Sequence, residues 1–249
     1  NYFDRSFDLF KYYAAGTNNT KLNYKVVSAI VEEPNGDLWI GTEGGGINYL
    51  NAQKGTFDYI THQDNNPKSL STNNVKAIIR TKNGNLWIGT HDGGLNFLNP
   101  KQKPYQFVKY QNIPNNPQSL SSNRIISLLE DDKENIWIGT SGGGLNVLNP
   151  TTSKIEVLKD SLEILGAIIY DISKTSNSNT LLIAGDKGLA KIDIYTKKIT
   201  PIQYKTEISK QDNALITISV YEDKAKNLWI GTEGDGLYYY NTTTKKSIR

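Results

Sequence analysis

The segment Leu38-Trp39-Ile40-Gly41-Thr42 recurs along the chain and decides the fold. Its copies are Leu86-Trp87-Ile88-Gly89-Thr90, Ile136-Trp137-Ile138-Gly139-Thr140, Leu228-Trp229-Ile230-Gly231-Thr232 and a divergent one, Leu181-Leu182-Ile183-Ala184-Gly185. Measured between the tryptophans, with Leu182 standing in for the missing one, the steps are 48, 50, 45 and 47 residues. A period in the forties is typical of the blades of a β-propeller.

Every copy has the same internal plan. An apolar run is followed by a tight polar turn such as Asn35-Gly36, which favours a hairpin. The Trp-containing strand, a Gly-rich turn, a third strand and a more polar fourth strand complete the copy. Such a small antiparallel sheet cannot bury both faces alone, so the copies must stack. The sequence therefore predicts an all-β chain, a β-propeller of four-stranded antiparallel blades at 25–61, 74–110, 123–158, 167–204 and 214–241.

The chain ends leave two arrangements open. Residues 5–12 align with the fourth strand of the second copy, whereas the fifth copy is predicted to stop after its third strand. If the ring closes, residues 5–12 form the outer strand of the last blade beside Leu237–Tyr240. The chain is predicted to be a single domain, 1–249. This domain is either a closed five-bladed ring or an arc of a larger propeller. The start at Asn1, without Met or a signal peptide, indicates a piece of a longer chain.

Composition excludes several classes of function. The chain has no Cys, which removes disulfides, thiolate metal sites and Cys nucleophiles. Its 28 Lys and Arg and 25 Asp and Glu are interspersed, which is typical of a solvated surface and not of a nucleic-acid binder. No apolar run is long enough to span a membrane. No helix is predicted, so the Gly-rich turns are not phosphate cradles, and no cofactor is expected.

The four tryptophans have two interpretations. Their faces could stack on sugar rings, or they could pack between blades as a structural feature of the repeat. A ligand rarely touches every blade in the same way, so the equivalent positions favour packing. The residues concerned are Trp39, Trp87, Trp137 and Trp229.

A candidate binding site follows from the order of strands within a blade. The second-to-third and fourth-to-first loops lie on one face, and their side chains differ between copies while the scaffold stays constant. Variation on a fixed frame favours ligand recognition there. Asn, Asp and Arg suit hydroxyl-rich or anionic ligands. The predicted ligand-binding residues are Glu43, Asn73, His91, Asp92, Asn123, Arg124, Ser141, Glu233 and Asp235, with Lys25, Asn74 and Asp186 on the same face.

Catalysis has little support in the sequence. His62 and His91 are the only histidines. His91 with Asp92 and a nearby Glu could form an acid–base pair, but no spaced His pair or acidic loop motif accompanies it. The acidic pairs at 32–33, 130–131 and 222–223 are interpreted as turn and edge residues and not as calcium ligands. No catalytic residues and no metal site are predicted, and a propeller lyase is the enzymatic alternative.

Some of these stretches resemble a known family. Asn66–Ser71 and Asn116–Ser121, together with Gly84–Thr90 and the following Gly93–Asn96, are similar to the regulator-propeller repeats of hybrid two-component sensors. The resemblance covers copies one, two, three and five. The fourth copy lacks the Trp, the Gly-Thr and the Asn-Pro-x-Ser-Leu stretch, so its loop geometry is expected to differ.

The resemblance implies an extracytoplasmic sensing role. It implies a periplasmic location, a carbohydrate ligand such as an oligosaccharide, a homodimer, and neighbouring domains of the parent chain that carry the signal to a kinase. The hypothesis is therefore a sensor propeller that is not an enzyme. The alternative is a structural or protein–protein interaction propeller with no ligand of its own.

Overall fold

A computed structural model describes residues 13–204 and 215–249. Its strands form five four-stranded antiparallel sheets, and each strand pairs with the next strand along the chain. Blade 1 contains β1 (Val27–Glu32), β2 (Leu38–Thr42), β3 (Gly46–Asn51) and β4 (Thr56–Ile60). Blade 2 contains β5 (Val75–Arg80), β6 (Leu86–Thr90), β7 (Leu95–Leu98) and β8 (Phe107–Tyr110). Blade 3 contains β9 (Ile125–Glu130), β10 (Ile136–Thr140), β11 (Leu145–Asn149) and β12 (Lys154–Leu158). Blade 4 contains β13 (Ile169–Lys174), β14 (Thr180–Gly185), β15 (Gly188–Asp193) and β16 (Ile199–Ile202). Blade 5 contains β17 (Thr217–Glu222), β18 (Leu228–Thr232), β19 (Gly236–Asn241) and β20 (Lys246–Ile248).

Most of the core lies between the blades, and one further cluster joins blade 1 to Leu22 in the segment before it. Trp39 of blade 1, for example, packs against Val75 and Ile78 of blade 2 in one buried cluster. Three further clusters join blades 2 to 3, 3 to 4 and 4 to 5 in the same way. Each blade therefore has a leading face toward the preceding blade and a trailing face toward the following one. The predicted all-β propeller of four-stranded antiparallel blades is confirmed.

The first strands of consecutive blades contact each other, which places them on the inner side of the stack. The Gly of the repeated Trp-Ile-Gly-Thr segment makes this approach possible. A Cβ atom on Gly89 would lie 2.5 Å from Ile125 Cγ2 of the next blade. The glycine at this position is thus required by packing between blades.

Replacing Gly89 by Ala is expected to destabilise the fold by about 1–2 kcal/mol, the usual cost of overpacking a well-filled interface. Gly231 is the matched control, because a Cβ there meets only the side chain of the exposed Ser219, which can turn away. Urea unfolding followed by circular dichroism measures both variants. Equal losses at the two positions would contradict the packing explanation.

Blade 4 differs where the sequence departs from the repeat. A short helix, α1 (Asp160–Ile164), replaces the Asn-Pro-x-Ser-Leu connection, so the prediction that the chain has no helix is wrong. Leu165 directly after α1 is fully buried against the next blade, as Leu70 and Leu120 are in the other connections. The apolar anchor is kept although the loop around it has changed.

Two sequence predictions differ from the structure at blade 5. The blade does not stop after its third strand, because β20 pairs with β19 along Tyr239–Asn241. Strand β20 thus occupies the position predicted for residues 5–12, which themselves lie outside the described residues. Trp229 is 41% exposed, although its three counterparts are buried. Its exposure follows from the geometry of the stack, since no following blade covers the trailing face of blade 5 in the described part of the chain.

Candidate functional site

The two loop types predicted to share one face are joined by hydrogen bonds. The residue that follows each second strand donates its backbone N–H to the carbonyl of the residue that precedes the first strand of its own blade. In blade 2 the bond runs from His91 to Asn74 over 2.9 Å. Because the bond recurs in all five blades, the donors occupy equivalent inner positions. These donors are Glu43, His91, Ser141, Asp186 and Glu233.

A β-bulge next to this hydrogen bond adds one residue of the first strand to the same inner positions. In every blade the register of the first and second strands shifts after the first pair, which leaves one residue of the first strand unpaired. Bulges are frequent beside functional sites because they re-aim a side chain. The bulged residues are Ser28, Lys76, Ile126, Tyr170 and Ile218.

The polar members of these positions, apart from Ser28, whose hydroxyl donates to the carbonyl oxygen of Val75 at 2.7 Å, form what we call the inner rim. They come from all five blades and differ from one blade to the next. The inner rim consists of Glu43, Asn74, Lys76, His91, Arg124, Ser141, Tyr170, Asp186 and Glu233.

Blades 1 and 2 meet at a polar cluster on this rim. Lys76 Nζ lies 2.5 Å from Glu43 Oε1, so an ion pair spans the two blades. Beside it, Asn74 Oδ1 and His91 Nδ1 are buried and have no hydrogen-bond partner among the described residues. Buried polar atoms are nearly always hydrogen-bonded. These two atoms are therefore unsatisfied polar groups of the rim, and a side-chain rearrangement that exposed them would let them form hydrogen bonds with a ligand or water.

Blades 4 and 5 form a second cluster around Tyr170. Burial raises the pKa of this phenol, and the nearby carboxylates of Glu233 and Asp186 raise the pKa further. Asp186 also accepts the backbone N–H of Ile168 at 3.1 Å. At neutral pH the cluster offers a neutral hydroxyl between two carboxylates, a combination that suits hydroxyl groups of a ligand.

Some of the predicted ligand-binding residues have a structural role. The side chains of Asn73 and Asn123 accept the backbone N–H groups of His62 and Asn112, both at 2.7 Å. They hold the connections between blades 1 and 2 and between blades 2 and 3. Asp235 is occupied by the hydroxyl of Tyr238 and by Arg249, whose Nη1 lies 3.0 Å away. Burial and the hydrogen bond to Asp235 together raise the pKa of Tyr238 to about 12.

Other predicted residues keep their side chains available. Asp92, Arg124, Glu233 and Lys25 are exposed, and their side chains make no hydrogen bond or ion pair with the described residues. His62 does not join His91. Its Nδ1 lies 2.7 Å from the carbonyl oxygen of Leu70, at the position where Asn112 bonds Leu120 in the next blade. Within residues 13–204 and 215–249, no group of three or more His, Asp or Glu side chains could hold a metal ion.

Sequence reasoning missed Lys76 and Tyr170. Both stand inside runs that were interpreted as apolar core strands. Each is the second residue of its strand, β5 or β13. A polar side chain at this position of an apolar run was the feature of the sequence that could have identified them. The bulge accompanies the placement of Lys76 beside Glu43, and a bulge is not evident from spacing alone.

A family comparison bears on the repeats themselves. The model of the two-component regulator propeller matches residues 21–44, 69–92, 119–142 and 210–234. These are two-component regulator propeller repeats. Each matched segment ends within two residues of an inner-rim position, and blade 4 of the regulator propeller is not matched. No curated protein sequence matches the chain.

Several solved structures are similar to the regulator propeller. The extracellular domain of a putative hybrid two-component system from B. thetaiotaomicron is 23% identical with a TM-score of 0.69, over 93% of this chain and 30% of that one. A second such domain from the same organism is 24% identical with a TM-score of 0.67, over 88% of this chain and 28% of the other. Virginiamycin B lyase from Staphylococcus aureus is 15% identical with a TM-score of 0.63, over 91% of this chain and 70% of the lyase.

These similarities establish the propeller fold. The regulator propeller spans about 30% of the length of the two extracellular domains. Among the described residues, none of the helices has the length and apolar character needed to cross a bilayer.

Proposed function

We propose that this regulator propeller is part of the extracytoplasmic, periplasmic sensor region of a hybrid two-component protein and binds an oligosaccharide at the inner rim. The observation that carries the proposal is a polar rim that changes from blade to blade on a constant scaffold. Recognition of an irregular ligand needs such asymmetry, whereas a purely structural repeat does not. The regulator-propeller repeats support the sensor role, and neighbouring domains of a homodimeric parent protein pass the signal to a kinase.

The chemistry of the rim favours hydroxyl groups. Asn74 Oδ1 is an acceptor that needs a donor, and His91 Nδ1 can donate or accept according to its tautomer. The Glu43–Lys76 pair beside them offers both an acceptor and a donor. A sugar hydroxyl donates one hydrogen bond and accepts up to two, so neighbouring hydroxyl groups of one sugar suit a rim that offers both acceptors and donors. No catalytic role is assigned to His91.

Titration calorimetry of the chain with neutral and anionic oligosaccharides tests the proposal. We expect binding to at least one oligosaccharide and a loss of about tenfold in affinity for His91→Ala, the effect of one lost hydrogen bond in a partly buried site. Lys101→Ala, an exposed change in the loop between β7 and β8, is the control and should leave the affinity unchanged. Absence of binding by either panel would favour an interaction propeller, and cleavage of a bound glycan would favour a lyase.

A further inference from the structure

A cavity of about 420 Å³ lies between blades 3 and 4, and we call it the outer cavity. Its lining includes the turn between the first and second strands of blade 3 and the third-to-fourth turns of both blades, so it lies at the end of the blades opposite the inner rim. Val147 and Ile155 form its apolar part, and Lys154, Glu156 and Lys197 are its charged residues. Every strand of the two blades belongs to the described part of the chain.

The outer cavity is present where blade 3 lacks an aromatic side chain. The third-strand residue that pairs with the repeated Trp is Tyr49 in blade 1, Phe97 in blade 2 and Val147 in blade 3. The rings of Tyr49 and Phe97 lie 4.6 and 5.0 Å from the Trp ring of their own blade. Between blades 2 and 3, where Phe97 is present, the corresponding cavity has only about 50 Å³. The smaller Val147 side chain therefore leaves the space open.

Lys197 of blade 4 contacts the indole in place of the missing ring. Its Nζ lies 4.4 Å from the centre of the Trp137 ring. The side chain is half-buried, and burial lowers the pKa of its ammonium group, although the nearby Glu156 carboxylate acts in the opposite direction. No hydrogen bond or ion pair joins this ammonium group to another described residue. Since an ammonium group has three donors, the outer cavity presents a partly desolvated cation whose hydrogen bonds are unused.

The edge strand β12 adds a backbone donor to the lining. In blades 1 and 2 the equivalent residues, Phe57 and Phe107, donate their N–H groups to the carbonyls of Asn19 and Lys68 at 2.6 and 2.8 Å. Ile155 has the same register in blade 3. It makes no such hydrogen bond with the described residues. The Ile155 N–H is thus a second unused donor at the outer cavity.

Two amide side chains of the lining each use only one of their two polar groups. Asn135 Nδ2 donates to Asp131 Oδ2 at 3.1 Å, and Asn149 Oδ1 accepts the backbone N–H of Thr152 at 3.0 Å. The Oδ1 of Asn135 and the Nδ2 of Asn149 have no hydrogen-bond partner among the described residues. Together with the Glu156 carboxylate, they offer both acceptors and donors, which suits hydroxyl groups.

We propose that the outer cavity binds a small carboxylate that carries hydroxyl groups, with the carboxylate at the Lys197 ammonium. The lining has two lysines and one glutamate, so it favours a ligand with a single negative charge. The Ile155 N–H provides a second donor for the carboxylate, and such charge-assisted hydrogen bonds are the stronger kind. A free hydroxy acid and a uronic acid residue of a glycan share this chemistry. The site is separate from the inner rim and does not depend on the function proposed for that rim.

Titration of the isotope-labelled full chain with gluconate and with glucuronate, followed by NMR, tests the proposal. We expect the amide signals of Ile155 and Lys197 to shift to saturation with at least one of the two. Saturation by gluconate alone indicates a free hydroxy acid, and saturation by glucuronate indicates a uronic acid residue. Glucose lacks the carboxylate and should leave both signals unchanged.

Two variants locate the binding. Lys197→Gln should weaken it by about tenfold, the effect of losing a hydrogen bond to a charged group. Lys198→Gln makes the same change at an exposed residue outside the lining and should leave the affinity unchanged. Val147→Phe should abolish binding, because it places the ring of Phe97 in the outer cavity, and urea unfolding should show that the fold is retained.

Three results overturn the proposal: no shifts at Ile155 and Lys197, equal shifts with glucose, or an unchanged affinity in Lys197→Gln. Binding retained by a folded Val147→Phe variant also overturns it, and if that variant does not fold, the comparison of Lys197→Gln with Lys198→Gln decides. Shifts that are confined to the inner rim and are lost in His91→Ala overturn this proposal while supporting the binding proposed for that rim.

Discussion

Replacing Trp137 by Ala is expected to lower the free energy of unfolding by about 3–5 kcal/mol, the range for deleting a large buried aromatic side chain. Trp137 is fully buried and packs against Ile169 of the next blade. Its Nε1–H donates to the buried Asp131 carboxylate at 2.8 Å, so its removal also takes away one of the hydrogen bonds of that group. Urea unfolding followed by circular dichroism measures the loss.

The same replacement at Trp229 is the matched control. Trp229 has the same neighbours in sequence and makes an edge-to-face contact with Tyr239 of its own blade, but no following blade covers it in the described part of the chain. We expect a loss of about 1 kcal/mol or less, the usual effect of changing an exposed side chain. Equal losses at Trp137 and Trp229 would show that the tryptophan stabilises its own blade and not the junction.

The contrast between Trp137 and Trp229 indicates which part of the fold could be predicted from the sequence. The recurring Trp-Ile-Gly-Thr segment predicts the blades because its residues serve the junction between blades, which every blade repeats. Trp and Gly each meet one packing requirement at this junction, so the spacing of these residues predicts the number and order of the blades. Trp229 departs from the prediction because burial depends on the next blade, and a local motif does not contain that information.

The candidate site was only partly predictable for a related reason. The proximity of the two loop types was predictable, since strand order alone brings them together. The roles of individual residues were not. Asn73 and Asn123 belong to the loops whose side chains vary between copies, yet both residues make the same structural contact. Lys76 and Tyr170 reach the rim through a bulge, which depends on the pairing register and not on residue type.

The short strand β20 was missed because a three-residue strand has no periodicity to detect. It follows a polar run of Thr and Lys that is typical of a solvated tail. Its pairing is imposed by the open edge of β19, which would otherwise leave backbone donors and acceptors exposed. Tertiary context decides such a strand.

The Asn of the third strand is a polar residue with no exposure at all in three blades. Asn96 Oδ1 accepts the backbone N–H of Ser71 at 2.9 Å, and its Nδ2 donates to Ser71 Oγ at 2.8 Å. Asn146 and Asn48 make the same reciprocal pair with the connections that precede blades 3 and 1. The pair fixes each connection to the sheet that follows it.

Blade 4 explains why the amide is needed. Gly166, the equivalent of Ser71, donates its N–H to the carbonyl of Ser161 in helix α1 instead. The third strand of blade 4 then has no donor to satisfy, and it carries Ala190 at the position of Asn96. In blades 1 to 4 the Asn is therefore present where the connection lacks another acceptor and absent where the helix supplies one.

Replacing Asn96 by Leu is accordingly expected to cost about 2–3 kcal/mol, because the Ser71 N–H loses its acceptor in a dry junction. Ser71→Ala is the control, since it removes the hydroxyl but keeps the N–H bond, and it should cost about 1 kcal/mol or less. Urea unfolding of both variants provides the comparison, and hydrogen exchange at the Ser71 amide should quicken only in the Asn96 variant. A loss for Asn96→Leu no larger than for Ser71→Ala would mean that the backbone bond is not what keeps Asn in this strand.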